Sequence, residues 1–318
     1  MSKHHRNRNW APAPQPLPED AHVIDNHTHV ASVVPFSQAM SHEAMEKGQG
    51  EVPVYSVDEL LEQAQKVGVE GVIDCGCELP NLMTAIDMAR EHPGTVHAAI
   101  AIHPNEAVLH GHRGAPGPDG LPIKYKPWHD IPFDEAMAEV HRLATTYPNQ
   151  VVAIGETGMD LFRTGESAKE LQRVAFRAHI ALAKELNLPM QIHDRDSHKE
   201  VIETLLADGA PEHTVFHSYS GDAEMGEIAR ENGWYLSLSG TSSYKGNDGI
   251  RESAKLVGMS HVMVETDAPY LSPMPYRGRT NAPYMIPYTL QALADYLDRS
   301  LAEIAKATRN TTRVVYGI

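Results

Sequence analysis

Eight short apolar runs recur along the chain, each followed by a stretch of helical period, and this alternation limits the fold more than any other feature. The runs cover residues 22–25, 69–75, 96–102, 151–154, 190–192, 214–216, 234–238 and 261–264. The clearest helical stretch is 167–187, where Leu171, Val174, Ala175, Ala178, Leu182 and Leu186 fall on one face. Others are 57–67, 82–91, 133–147, 199–207, 223–232 and 248–257. Repeated strand–helix units imply parallel strands joined by crossover helices. Eight such units predict an α/β fold, a (β/α)8 TIM barrel, forming one domain over residues 21–318. A doubly wound open sheet is the competing solution. It would want a glycine-rich phosphate loop after the first strand, where the sequence reads IDNHTHV.

Residues 1–20 read as a flexible, solvated leader, with Pro12, Pro14, Pro16 and Pro18 favouring an extended strip. They lack the apolar core of a signal peptide, and no apolar run is long enough to span a membrane, so a cytoplasmic protein is expected. Cys75 and Cys77, two residues apart, are expected as reduced thiols at a strand end, with a zinc pair as the lesser reading. A net charge of −15 argues against a broad basic face for duplex DNA, though not against a nuclease whose metals neutralise phosphate locally. Two connections exceed what a strand-to-helix turn needs, 30–53 and 104–132, and both should rim the barrel mouth. In the second, Lys124, Tyr125, Lys126 and Trp128 could stack on and neutralise a nucleic-acid or phosphate ligand; the competing reading is a solvated loop.

In such a barrel the chemistry sits at the C-terminal ends of the strands. The first strand ends in His27 and His29, which alternation places on one side. The fourth runs into Glu156, the fifth into His193, the sixth into His217, and the eighth into Glu265 and Asp267. A lone strand-end histidine is usually a satisfied polar residue, but imidazoles and carboxylates converging from five strands form a metal site. This mixture suits Zn²⁺, Mn²⁺ or Fe²⁺ better than an all-oxygen Mg²⁺ cage, with weaker Mg²⁺ occupancy allowed. Six candidate ligands are too many for one tetrahedral zinc with an open position. Two divalent ions sharing Glu156 as a bridge fit better.

These segments resemble the TatD family of metal-dependent deoxyribonucleases, within the amidohydrolase-like superfamily. The matching motifs are IDNHTHV, AIHP, GETGMD, QIHDRD, FHSYSGD, ETDAPYLSP and RGRTNAP, in family order over about residues 22–283. The resemblance implies that His27, His29, Glu156 and Asp267 hold one metal, and that Glu156, His193 and His217 hold the other. It implies that His103 touches substrate phosphate or assists protonation. Glu265 would stand behind a ligand and orient it, while Arg195 and Arg277 would orient substrate or form structural ion pairs. The sequence departs from the family at Ala101, Asn105, Thr157 and Met159, none of them a ligand position.

The expected reaction is two-metal hydrolysis of a phosphodiester, with Asp267 accepting a proton from the nucleophile and His103 serving the phosphate or the leaving group. The resemblance implies an exonuclease, and a narrowed mouth suits single-stranded DNA ends. No obligate protein partner is evident. The alternatives are hydrolysis of an amide, ester or lactone by the same ions, and a catalytically idle metal-binding scaffold.

Overall fold

The computed structural model describes residues 9–48, 52–111, 125–164 and 168–318. Eight strands form one parallel sheet in sequential order: β1 (Val23–Thr28), β2 (Val69–Gly76), β3 (Val96–Ile100), β4 (Val151–Asp160), β5 (Met190–Arg195), β6 (Thr214–Phe216), β7 (Tyr235–Leu238) and β8 (Val262–Val264). The helices are α1 (Val30–Glu46), α2 (Val57–Lys66), α3 (Leu79–Glu91), α4 (Pro104–Ala107), α5 (Phe133–Thr146), α6 (Lys169–Leu186), α7 (His198–Asp208), α8 (Ala223–Asn232), α9 (Asp248–Val257), α10 (Ile286–Leu297) and α11 (Leu301–Tyr316). This is the TIM barrel expected from the alternation, nearly closed on itself. Among the described residues no helix is long and apolar enough to cross a membrane.

The period of two along each strand divides the core. Val72, Ala98, Ile100, Ile154 and Phe216 join the large cluster that includes buried residues of the helices. Ile73, Cys75, Ala99, Ala153, Val215 and Met263 form a separate cluster with Val315 and Tyr316 of α11. From there the Tyr316 hydroxyl accepts from Gln191 Nε2 (2.9 Å), which also donates to the Asn26 carbonyl (2.7 Å), giving a polar floor.

The first long connection differs from expectation. Instead of an insertion, residues 30–46 form helix α1, whose buried Val30, Val33, Ser37, Met40, Ser41 and Ala44 recur at intervals of three and four. Its N-cap residue His29 offers no side-chain cap; Val30 N–H instead donates to Asp74 Oδ1 at 2.6 Å, supplying a non-local partner. In the second connection, α4 and a single 3₁₀ turn at Pro127–Asp130 flank a stretch outside the described residues, which includes Lys124. Trp128 Nε1 donates to Glu106 (3.3 Å), Lys126 Nζ stands 5.9 Å from the Trp128 ring centroid, and neither they nor Tyr125 lines the cleft described below.

The described part of the leader, residues 9–20, is anchored to the barrel. Trp10 is buried, donates from Nε1 to the Pro53 carbonyl (2.7 Å) and lies against Tyr55, while Leu17 N–H donates to the Val67 carbonyl at 3.1 Å. The prolines leave an extended strip whose apolar residues, Trp10, Ala11 and Leu17, face the protein.

Candidate metal and substrate site

The strand ends converge on Glu156. Its position is set by two glycines in the GETGMD segment. A Cβ on Gly155 would meet Gln191 Cβ at 2.5 Å, and one on Gly158, at φ +133°, would stand 2.1 Å from the His193 carbonyl oxygen. Only glycine lets β4 lie this close to β5. Glu156 Oε2 lies 3.7 Å from His27 Nε2 and 3.8 Å from His29 Nε2. Its other oxygen, Oε1, lies 2.5 Å from His193 Nδ1, 2.8 Å from His217 Nε2 and 3.5 Å from His103 Nε2. Asp267, at φ +52°, presents Oδ1 3.4 Å from His29 Nε2 and 3.9 Å from His27 Nε2. Two of the groups able to hold a metal ion, His27–His29–Glu156 and His103–Glu156–His193, share this one carboxylate.

The outward nitrogen of each imidazole decides what the inward one can do. His27 Nδ1 faces Gln191 Oε1 at 2.9 Å, and Gln191 is held in that orientation by its own amide donating elsewhere. His29 Nδ1 faces the Cys75 carbonyl (3.1 Å), His217 Nδ1 faces Glu265 Oε1 (3.2 Å) and His193 Nε2 faces Asp160 Oδ2 (3.1 Å). Each partner is an acceptor and favours the proton on the outward nitrogen; in that neutral tautomer the inward nitrogen is left to bind a cation, whereas without a cation the carboxylates draw a second proton inward. His27 Nε2 is fully buried and has no hydrogen-bond partner. Such an orphaned lone pair is costly unless an ion takes it. His103 is sorted the other way. Asn105 N–H donates to its Nδ1 at 3.1 Å, so the neutral ring carries its proton on Nε2, pointing at the site as a donor.

The charges follow this geometry. Burial acts to raise the Glu156 carboxyl, but His217, His103 and His193 outweigh it and hold the group well below the usual range. Burial acts to lower His217, and Glu156 with Glu265 overcomes it, holding the imidazole well above its ordinary value. His29 and His193 are pulled down by burial and pushed up, on balance, to about 9, by Asp267 and Glu156 respectively. His27, by contrast, is driven well below the ordinary value by burial and by His217. The carboxylates thus draw positive charge to the places where cations would sit.

Glu265 is fully buried, accepts from Ser218 N–H (2.7 Å) and the Ser237 hydroxyl, and faces His217, as expected of a group that orients a ligand. Asp160 escaped the sequence reading. It accepts from His193, from Asn105 Nδ2 (3.0 Å) and from Arg163 N–H (2.7 Å). It lies two and four residues beyond Gly158 and Glu156 on one strand, so strand alternation was the available signal. Asn105, one of the departures from the family, links α4 to this carboxylate. Cys75 and Cys77 are free thiols; Cys75 packs beside His27 Nδ1 at 3.4 Å and Cys77 Sγ lies 3.7 Å from Glu156 Oε2. Burial pushes both thiols well up.

Above the histidines opens a cleft of about 950 Å³, lined by His29, His103, Glu156, His193, His217 and Asp267, and farther out by Arg163, Arg195, Asn247 and Tyr270. Arg195 therefore faces the cleft. Arg277 does not line it; its guanidinium lies 4.4 Å from the centroid of the Tyr244 ring.

Residues 24–317 match the family model described as TatD related DNase. TatD of Mycobacterium tuberculosis, an uncharacterized metal-dependent hydrolase, is 37% identical over 267 residues, covering 83% of this chain and 92% of that protein. YabD of Bacillus subtilis, described in the same words, is 30% identical over 263 residues, covering 82% of this chain and 93% of its own length. Among solved structures, the TatD homologue YJJV of Escherichia coli superposes with a TM-score of 0.73 at 23% identity, covering 94% of this chain and 99% of that one. With a histidine–carboxylate cluster able to hold metal at the strand ends, the chain belongs to the TatD family of metal-dependent hydrolases.

Proposed function

We propose that this protein is a binuclear phosphodiesterase that degrades DNA from single-stranded ends, acting in the cytoplasm. The observation that carries the metal part is the set of partners that fix the imidazoles around Glu156. Four histidines meet an acceptor at the outward nitrogen and turn the other nitrogen inward, two on each side of one carboxylate, and a fifth meets a donor at its outward nitrogen instead. His27, His29 and Asp267 would hold one ion, His193 and His217 the other, with Glu156 bridging. Two divalent ions, Zn²⁺, Mn²⁺ or Mg²⁺, would supply Lewis acidity that lowers the pKa of water and neutralises phosphoryl charge.

The chain's own groups do the rest. Asp267 Oδ1 stands beside both first-strand histidines and takes the proton of the attacking water. Glu265 and Asp160 keep His217 and His193 in the ligand tautomer throughout. His103 bonds a phosphate oxygen through Nε2–H, or delivers that proton to the leaving oxygen, and Asn105 keeps the proton there. DNA as substrate is supported by the family's description as DNase-related, and the free thiols beside the site suit a reducing compartment.

Protein stripped of metal and reloaded separately with Mg²⁺, Mn²⁺ or Zn²⁺ would be offered end-labelled single-stranded DNA, single-stranded RNA and a chromogenic ester. Two ions per chain with stepwise shortening of DNA is expected, and Glu156→Gln should abolish hydrolysis and lower metal content while the fold persists. Ester turnover with untouched nucleic acid would move the substrate to a carbonyl, and an active Glu156→Gln enzyme would remove the bridge.

A further inference from the structure

Just past the end of β4, Phe162 is 53% exposed, an uncommon position for a phenyl ring. Arg195, at the end of β5, places its Cζ 4.0 Å from the ring centroid, and Arg163 places its own at 5.9 Å. Among the described lining residues, Arg163 and Arg195 are the only arginines and no lysine is present. The cations of this acidic cleft are thus concentrated beside one exposed ring, which is not itself among the lining residues.

Arg195 has no carboxylate partner among the described residues, although carboxylates are near. Asp194 is committed to the Ser197 hydroxyl (2.8 Å) and His198 Nδ1 (2.7 Å), and Asp160 to the donors already named. Contact with the Phe162 ring makes no use of the guanidinium's N–H donors, which suit a bidentate phosphate. The ring keeps its exposed area for a second flat partner.

We infer that Phe162 and Arg195 form a nucleotide subsite: Arg195 bonds the phosphate next to the scissile one, and Phe162 stacks the base attached to it. This rests on the phosphodiester reading and narrows it to a polynucleotide rather than a small ester. Any base has a π-face, so the subsite selects bases as a class and not one sequence.

The test uses full-length, metal-loaded protein and two nuclease-resistant phosphorothioate octamers of equal charge, a labelled octathymidylate and its abasic counterpart. Binding is followed by fluorescence anisotropy. The parent should prefer the octathymidylate by about tenfold, Phe162→Ala should erase that preference, and Phe162→Trp should keep it. Arg195→Ala should weaken binding of both octamers and flatten the plot of log affinity against log salt by about 0.7, while Arg195→Lys should largely restore the slope. Equal affinity of the parent for the two octamers, or a preference surviving in Phe162→Ala, overturns the stacking role; an unchanged salt slope in Arg195→Ala overturns the phosphate role. Turnover of bis(4-nitrophenyl) phosphate reads the reaction separately. Its absence beside an intact preference would refute the phosphodiesterase and leave the subsite supported, and turnover without preference would do the reverse.

Discussion

Replacing Asp160 separates a side chain that positions a ligand from one that merely fills space. Its Oδ2 receives two donors, His193 Nε2 at 3.1 Å and Asn105 Nδ2 at 3.0 Å, and its Oδ1 receives Arg163 N–H at 2.7 Å. Burial acts to raise this carboxyl, and His193 outweighs it, so the group stays ionised. Asparagine brings one acceptor and one donor to a place that offers only donors. With its oxygen at the Oδ2 position it keeps His193 and Asn105 but turns its amide N–H₂ on Arg163 N–H, leaving that donor unpaired at a cost of roughly 1–3 kcal/mol. The hydrogen bond to His193 survives without its charge, so metal affinity should fall by about tenfold, the lower end for groups behind a ligand. Asp160→Ala frees His193 to place its proton on Nδ1, facing Glu156, and should cost about a hundredfold, roughly 2.7 kcal/mol. Competition of each variant against a fluorescent zinc chelator gives these affinities directly. If Asp160→Ala binds both ions as tightly as the parent, the argument that outward partners fix the inward nitrogens is refuted.

Stripping the metals should make stability depend on His29 and His193. Their folded values near 9 lie above the ordinary 6.5, so the stabilisation is fully present below about 6.5 and is lost as pH rises through 9. Melting of chelator-treated protein from pH 6 to 9.5 should show this fall, and metal-loaded protein should not follow it. Gly158→Ala would press a methyl against the His193 carbonyl at a positive φ and should destabilise by roughly 3 kcal/mol in urea titrations; a neutral result would mean that β4 and β5 can separate freely. Trp10→Ala removes a buried indole and its bond to Pro53 and should cost about 3 kcal/mol in the same assay, whereas a solvated leader would show no change.

The barrel was legible because its strands carry short β-branched runs, and the candidate ligands stand at or just past the ends of those runs. His27, His29, Glu156, His193, His217 and Asp267 could all be named from that position alone, and the structure gathers them around one carboxylate. Asp160 was not, because Gly155 and Gly158 interrupt the apolar pattern and make β4 read as ending at Ile154, when it continues to Asp160 through a register shift. Helix α1 was hidden by Pro35 and a valine-rich start that argue locally against a helix, and its first donor is satisfied by Asp74 from another strand. Helix α11 did carry a local signal, the Ser300–Glu303 capping box, but no strand follows it to complete a unit. The contact between Arg195 and Phe162 joins different strand ends, which no local pattern encodes.

The sheet runs unbroken from β1 to β8, but β8 and β1 meet differently. Asn26 Nδ2 donates to the Val264 carbonyl (2.7 Å), Thr266 N–H donates to Asp25 Oδ1 (2.9 Å), Asp267 N–H donates to the His27 carbonyl (3.0 Å), and His29 N–H donates to the Ala268 carbonyl (3.0 Å). His27 and His29 stand on one side of this join and Asp267 on the other. A cation taken by all three would be a clasp on the ring, tying together segments some 240 residues apart in the chain. The centre proposed for catalysis would then also be the fastening of the barrel, and amide exchange along this join should quicken first when the ions are withdrawn.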